Sequence, residues 1–148
     1  MSELIKRCRL RQAIPQDIWA IRGLVLGAFL DPTQLRTEQF WVIELEGKII
    51  ACGQLRTFEN ALELGSVVVK QSYRNQGLGN YLTNHLIEQA KCPLYLECLG
   101  DSLKTFYQRF GFVEVNFQDI SPSLPQKFGL TKTITQWLRL PLHIMILK

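Results

Sequence analysis

Two glycines one residue apart, Gly77 and Gly79, constrain this chain more than any other feature. An apolar, β-branched run at residues 67–69 precedes them and predicts a buried strand, while apolar residues after them recur at helical spacing. A glycine loop between a strand and a helix exposes backbone N–H groups that have no partner inside the helix, and the helix dipole adds positive charge there. The sequence therefore predicts an anion-binding loop, with Arg74 as a cation at its entrance and a phosphate-bearing ligand.

The bulk composition is that of an ordinary soluble domain. The chain has 148 residues, of which 47% are hydrophobic and 20% are charged, so we expect a single domain over residues 1–148. No apolar run approaches the roughly 20 residues that span a bilayer, and the first residues lack the pattern of a signal peptide. We therefore expect a cytoplasmic protein that does not insert into a membrane.

The positive charge is mild and dispersed. The net charge is +4, and the 17 lysines and arginines are scattered, the densest group being Lys6, Arg7, Arg9 and Arg11. Small basic patches of this kind are usually solvated surface, so we do not expect a nucleic-acid partner. Attraction of an acidic cofactor or substrate is a better explanation of the positive charge.

The cysteines do not indicate a metal site. None of Cys8, Cys52, Cys92 and Cys98 forms a C-x-x-C pair, and no cysteine–histidine spacing is typical of zinc. In a reducing compartment such residues are most often small buried hydrophobes. We expect no bound metal.

Periodicity and turn residues predict an alternation of strands and helices. The expected elements are a strand over 7–13, a helix from 15 to about 30, a short helix over 33–39, strands over 40–45, 48–58 and 62–70, a helix over 77–91, a strand over 94–99, a helix over 102–110, a strand over 112–117, an amphipathic helix between 128 and 138, and a strand over 142–147. The dipeptide Glu46-Gly47 predicts a hairpin turn, and Gly111 predicts a left-handed helix end. This order is that of a mixed α/β domain.

The element order and two motifs resemble the GNAT superfamily of acetyl-CoA-dependent N-acetyltransferases, over nearly the whole chain. The first motif, Arg74-Asn75-Gln76-Gly77-Leu78-Gly79, agrees with the family's (Q/R)-x-x-G-x-(G/A) loop at every specified position. The second motif, Phe106-Tyr107-Gln108-Arg109-Phe110-Gly111-Phe112, is similar to the family's F-Y-x-x-x-G-F pattern. A Rossmann site would need a small residue where Leu82 stands, and a Walker P-loop sequence is absent.

The resemblance implies a fold and a reaction. The fold would be α/β (α+β), a single GNAT-like domain whose mixed, mostly antiparallel central sheet is flanked by helices. The reaction would be direct transfer, in a ternary complex, of an acetyl group from acetyl-CoA to a primary amine. The acceptor would be a small-molecule amine, an amino acid, or a peptide or protein amine, and a homodimer is left open. A non-catalytic acyl-CoA-binding or regulatory module on the same fold is the alternative.

The resemblance also implies which residues hold the cofactor. Backbone groups of the strand and loop would bind pantetheine and pyrophosphate, and a residue near the start of a later helix would add a contact. Family members often have asparagine at that later position, where this chain has Gly100. Asp101 or Ser102 would then substitute, or Ser102 would simply cap the helix. The implied cofactor-binding residues are Val67, Val68, Val69, Arg74, Asn75, Gln76, Gly77, Leu78, Gly79, Asn80, Asp101 and Ser102, with the three valine side chains expected in the core.

The resemblance also implies groups that transfer two protons, one removed from the amine and one given to the departing thiolate. Tyr107 would be the general acid for the departing thiolate, the alternative being an aromatic residue on the buried stripe of its helix. Glu63 or Glu97 would accept the proton of the amine, unless each is a solvated strand residue and ordered water is the acceptor. Cys98 is expected to be an inert buried thiol, because no activating partner is apparent beside it. His85 and His143 are expected to be structural.

The sequence says least about the acceptor substrate of the expected reaction. In this family, residues 29–40 and 118–141 would contribute acceptor specificity. For the second segment, a helix that covers the sheet is the first interpretation, and a lid over the acceptor site or a docking face for a partner is the alternative. The sequences Leu62-Glu63-Leu64-Gly65 and Gly53-Gln54-Leu55 weakly resemble amino-acid N-acetyltransferases that act on glutamate.

Overall fold

A computed structural model describes residues 2–30, 32–59, 61–91, 93–116 and 142–148 of the chain. The helix expected between residues 128 and 138 lies outside the described residues. The contacts divide the chain into two compact units: unit 1 comprises residues 1–56 and 64–89, and unit 2 comprises residues 57–63 and 90–148.

Four α-helices and seven strands are described. In chain order they are α1 (Glu3–Arg7), β1 (Arg9–Gln12), α2 (Ile18–Gly27), β2 (Phe40–Leu45), β3 (Lys48–Phe58), β4 (Ala61–Val69), α3 (Leu78–Gln89), β5 (Leu94–Leu99), α4 (Asp101–Gln108), β6 (Val113–Glu114) and β7 (Leu142–Leu147), with 3₁₀ turns at Pro15–Asp17, Thr37–Gln39 and Gln71–Tyr73. The strand order is β1-β2-β3-β4-β5-β7-β6. The α/β class with a mixed, mostly antiparallel sheet is confirmed.

The hairpin of β2 and β3 in unit 1 has the predicted bounds and the predicted turn. Glu46 has φ +51° and Gly47 has φ +80°, which is the pair of positive values that a type I′ hairpin turn requires. The two strands pair antiparallel from Phe40 opposite Gln54 to Leu45 opposite Lys48.

Two helices pack on the strands of unit 1. Ile21 and Val25 of α2 belong to a buried cluster that includes Cys52 of β3. The next residue, Gly53, points to the opposite face, as consecutive strand residues do. A Cβ atom there would lie 2.6 Å from Leu86 Cδ1 of α3, so glycine permits a close approach of helix and strand.

A buried ion pair secures the start of α2. Arg11 of β1 lies 2.7 Å from the Asp17 carboxylate and 3.0 Å from that of Glu44. The Ile14 N–H also donates to Asp17, at 2.8 Å. The Arg11 guanidinium, whose hydrogen bond outweighs the effect of burial, lowers the pKa of Asp17. Where a helix start was predicted at Pro15, the structure has a 3₁₀ turn that leads into α2 at Ile18 and is stabilised by this charge pairing with β1 and β2.

In unit 2 the last strand lies between two earlier ones. The first residues of β4 pair in parallel with β5, at Leu62 opposite Leu94 and Glu63 opposite Tyr95. The strand β7 pairs antiparallel with both β5 and β6. Gly111, with φ +98°, follows α4 as predicted. The strands predicted over 94–99 and 142–147 are confirmed.

Several predicted boundaries are wrong. The strand expected over 7–13 is shorter, Arg9–Gln12, and residues 3–7 form a helix that was not expected. The Ser2 hydroxyl caps this helix by accepting from the Ile5 N–H at 3.2 Å. The helix expected over 33–39 is only a 3₁₀ turn, and β6 has two residues where a longer strand was expected. Ser102 is not a helix cap, because α4 begins at Asp101 with Gly100 as its N-cap.

Among the described residues, none of the helices has the length and apolarity that crossing a lipid bilayer requires.

Candidate functional site

The glycine loop in unit 1 has the backbone geometry of an anion cradle. Asn75 has φ +63° and Gly77 has φ +88°, a left-handed conformation that asparagine tolerates and glycine favours. Helix α3 begins at the next residue, Leu78, whose side chain is buried and anchors the helix start. The first-turn N–H groups of Leu78, Gly79 and Asn80 have no acceptor within the helix. Gln76 and Gly77 are exposed, so the loop backbone is accessible to an anion.

Arg74 ties the loop to the end of β4. Its Nε donates to the Val69 carbonyl at 2.8 Å, and the side chain is otherwise exposed. This bond uses one of the five N–H donors of the guanidinium. The predicted cation is therefore present at the loop, held in place by the strand that the loop follows.

Helix α1 also contacts the loop, which the sequence analysis missed. The Ser2 hydroxyl lies 3.4 Å from the Gln76 carbonyl, and Ile5 Cδ1 lies 3.5 Å from the position of a Cβ on Gly77. The available signal was Ser2 followed by Glu3, a helix-capping residue followed by an acid in the first turn. That signal predicts the helix but not its contact with the loop.

Strand β4 has a local backbone distortion at Ser66, where φ is +50° within a continuous strand. Arg56 Nη2 donates to Ser66 Oγ at 3.1 Å, and the Cys52 thiol lies 3.5 Å from the Ser66 carbonyl. A Cβ atom on Gly65 would lie 2.5 Å from Arg56 Nη1, so glycine makes room for the guanidinium. A buried arginine therefore holds a local distortion just before the strand end expected to bind pantetheine.

Burial differs among the three valines at the end of β4. Val68 is buried in the cluster with α2, whereas Val67 and Val69 are only half-buried. The expectation that all three valine side chains are core residues is therefore wrong. The alternation of a strand allows only every second side chain to face the core.

A cavity of about 710 Å³ lies beside the end of β4 within unit 1. Its volume is in the range of small-molecule sites, roughly 300–1,000 Å³. Small residues of α2 leave this space open. Its lining includes Ala20, Gly23, Gly27, Val68, Val69 and Arg74.

In unit 2, Tyr107 lies on the buried face of α4. Only 8% of the residue is exposed, and its ring packs edge-on against Phe106 and Phe112, with centroids 5.0 and 5.8 Å away. Burial raises the pKa of Tyr107, and the charge of nearby Cys98 in its ionised form would raise it further. The phenol therefore keeps its proton and can donate a hydrogen bond. The motif predicted this position, and its role stays a prediction.

The two candidate bases share one face of the sheet in unit 2. Glu63 is fully buried and sits opposite Tyr95, two residues before Glu97 on β5. Glu97 is half-buried and, by strand alternation, points away from the face on which Cys98 lies. Since α4 packs on the Cys98 face, the structure groups the two glutamates with each other and not with Tyr107.

Cys98 has a histidine opposite it, yet it remains an unreactive thiol. The register of β5 and β7 pairs Cys98 with His143, a neighbour that the sequence analysis did not identify. Burial, reinforced by the Glu114 carboxylate, raises the pKa of Cys98 to about 11. A thiol that remains protonated at neutral pH is a poor nucleophile, which agrees with the expected inert role.

The two residues proposed to replace the family's asparagine open α4. Asp101 is its first residue and Ser102 its second, and both are exposed. The Asp101 carboxylate lies 3.0 Å from His143 Nε2. Both side chains are thus available to a ligand at the start of α4. In the described part of the chain, no group of three or more His, Cys, Asp or Glu side chains is arranged to hold a metal ion.

Comparison with known proteins identifies relatives in sequence and in fold. The amino-acid acetyltransferase of Shewanella oneidensis is 30% identical over 132 residues, which cover 80% of this chain and 29% of that protein. The N-acetylglutamate synthase of Neisseria gonorrhoeae, in complex with coenzyme A and N-acetyl-glutamate, has a TM-score of 0.76 at 19% identity, over 94% of this chain and 34% of that one. The chain thus spans about a third of the length of these two relatives.

A third protein is similar in fold over nearly its whole length. The Rv2747 protein of Mycobacterium tuberculosis, in a complex that contains coenzyme A, has a TM-score of 0.75 at 21% identity, over 94% of this chain and 98% of that one. The model of the acetyltransferase (GNAT) domain matches residues 36–114, which include the glycine loop and helix α4. The chain therefore belongs to the GNAT acetyltransferase family.

Proposed function

We propose that this protein transfers an acetyl group from acetyl-CoA to a primary amine by direct attack in a ternary complex. The observation that carries the proposal is the loop at residues 74–80. It places Gly77, at φ +88°, directly before the first turn of α3 and after β4. An exposed helix start with this backbone suits a pyrophosphate, and coenzyme A is bound in solved structures of the same fold.

Backbone groups would hold most of the cofactor. The N–H groups from Gln76 to Asn80 would bind the pyrophosphate, and the backbone of residues 67–69 would pair with the pantetheine arm. Asp101 and Ser102 would add side-chain contacts at the start of α4. The bound acetyl-CoA supplies an acetyl thioester to the acceptor amine.

Side chains of unit 2 would manage the protons. Tyr107, which burial keeps protonated, would give its proton to the departing thiolate. Glu63, Glu97 or an ordered water would accept the proton of the amine before attack. The full burial of Glu63 favours proton transfer through water over direct contact with a soluble acceptor.

We place amino acids first among the acceptors. The relative from Shewanella oneidensis is an amino-acid acetyltransferase, and the synthase structure contains N-acetyl-glutamate. The cavity in unit 1, about 710 Å³ in volume, is large enough for an acceptor of that size.

The test measures thiol release from acetyl-CoA with a panel of amino acids, other small amines and peptides, alongside calorimetry with coenzyme A. We expect turnover with at least one amino acid. Turnover with peptides alone would overturn the acceptor but not the reaction. Cofactor binding without turnover on the whole panel would favour a non-catalytic module, and the absence of binding would overturn the proposal.

A further inference from the structure

A histidine in unit 2 is held between two carboxylates. His143 of β7 has its Nε2 3.0 Å from Asp101 Oδ1 and its Nδ1 2.8 Å from Glu114 Oε1. Lys104 Nζ lies 2.8 Å from the other oxygen of Glu114. The His143 side chain is only 12% exposed. Three elements, α4, β6 and β7, therefore meet at one imidazole.

Both contacts of His143 can be hydrogen bonds to ionised carboxylates only when its ring carries two protons. A neutral imidazole has one N–H donor and one acceptor nitrogen, whereas the imidazolium has two donors. Ionised Asp and Glu side chains only accept, so both contacts are hydrogen bonds only when His143 is protonated. Hydrogen bonds from His143 and then from Lys104 lower the pKa of Glu114, which keeps that acceptor charged.

The other titratable groups around the ring do not replace this proton. The bond to Glu114 raises the pKa of Lys104, so the lysine stays charged. Cys98, opposite His143 on β5, stays a neutral thiol because burial raises its pKa to about 11. Glu97 points to the other face of β5. Protonation of His143 is therefore what allows both contacts in this cluster to be hydrogen bonds at the same time.

The cluster replaces a helix cap at the start of α4. The N-cap residue is Gly100, with φ +88°, and no side chain caps the first turn. Two side-chain contacts fasten the helix, from Asp101 to His143 and from Lys104 to Glu114. The same helix carries Ser102 and, about one and a half turns further along, Tyr107. Loss of the contact at Asp101 would loosen the end of α4 expected to meet the cofactor.

We propose that His143 is a positioning residue whose proton fastens α4, so that the protein binds coenzyme A more tightly when His143 is charged than when it is neutral. This inference rests on the proposed function, because it assumes that the start of α4 contacts the cofactor. A helix already held in its bound position costs less to order on binding.

The experiment compares wild type, His143→Gln and His85→Gln by calorimetry with coenzyme A from about pH 5.5 to 8.5, where histidine titrates. Glutamine offers one donor and one acceptor group, as neutral histidine does. His85, the chain's other histidine, lies on α3 against Trp41 and serves as the matched control. The phosphates of the ligand titrate equally in every sample. The ratio of the variant's dissociation constant to that of wild type therefore reports only the contribution of the protein.

We expect His143→Gln to bind about two- to tenfold more weakly than wild type at the acidic end, as for the loss of one hydrogen bond, and equally at the alkaline end. A ratio that does not change with pH, or a change of the same size in His85→Gln, would overturn this inference and leave the proposed function unaffected. If wild type does not bind coenzyme A at any pH, both this inference and the proposed function are overturned.

A second measurement uses wild type only, in case the variant does not fold. The hydrogen-exchange protection of the α4 amides, corrected for the intrinsic rate, should decrease as the imidazole loses its proton. The imidazole NMR signal of His143 reports that proton directly. Protection that is constant across the titration would overturn the inference.

Discussion

The glycine loop of unit 1 and helix α4 of unit 2 present chemistry in different ways. The loop offers backbone N–H groups, and its shape depends on the positive φ angles of Asn75 and Gly77. Helix α4 offers the side chains of Asp101 and Tyr107, and its start is fastened by residues distant in sequence. Substitutions should therefore act through backbone conformation in the loop and through individual functional groups in the helix.

The largest expected effect tests the side-chain half of this comparison. Tyr107→Phe should lower turnover about a hundredfold, because it removes a general acid, and should leave the affinity for coenzyme A nearly unchanged. Steady-state kinetics with calorimetry measure both quantities. Tyr95→Phe, which removes the hydroxyl of another buried tyrosine in unit 2, is the control and should keep wild-type turnover. Full activity of Tyr107→Phe would remove Tyr107 as the acid.

The next effect tests the backbone half. Gly77→Ala should weaken coenzyme A binding about tenfold or more, because a Cβ in the left-handed region costs roughly 1–2 kcal/mol and shifts the loop. Gly47→Ala is a matched control, since Gly47 has φ +80° and open space around it. Both variants should lose similar stability in urea titrations. Equal cofactor affinity in the two variants would refute the role of the loop.

A smaller effect is expected at Ser66, where a side-chain hydrogen bond holds the distorted backbone of β4. Ser66→Ala removes one acceptor of a buried arginine, so it should lower the free energy of unfolding by about 1.5–3 kcal/mol. Alanine at exposed Ser72 should change it little. Equilibrium denaturation compares the two. Equal stability of both variants would show that the Arg56 bond does not hold the distortion in β4.

The smallest effect concerns a charged side chain that stabilises the start of α2 in unit 1. Asp17→Asn should cost about 1–2 kcal/mol at pH 7, because the folded state lowers the pKa of Asp17. A lowered pKa contributes stability above the unfolded value, and that contribution is lost as the pH falls below about 4. Wild type and variant should therefore converge in acid. Glu46→Gln, in an exposed ion pair with Arg7, should show no such convergence.

The same contrast explains which features of the fold and of the candidate site can be predicted from the sequence. The hairpin turn at Glu46-Gly47 and the loop at Gly77 depend on backbone conformations that few residue types adopt, so residue identity predicts them locally. The family motif located Tyr107 in the same way. These features need no knowledge of the distant chain.

Features that depend on distant partners were missed. The distortion at Ser66 depends on an arginine ten residues earlier, and the neighbours of His143 are 29 and 42 residues away. Only the register of the strands shows that Cys98 and His143 are adjacent or that Glu97 points away from α4. Periodicity assigns a side chain to a face, but it does not say what covers that face.

The position of β7 between β5 and β6 has a consequence for the newly made chain. The ribosome completes β5, α4 and β6 before it reaches residues 142–147, which separate those two strands in the sheet. Until β7 emerges, the edge of β5 can accept a wrong strand from another molecule. Premature termination before residue 142 should therefore yield aggregation-prone chains, in which the imidazole that fastens α4 is also missing.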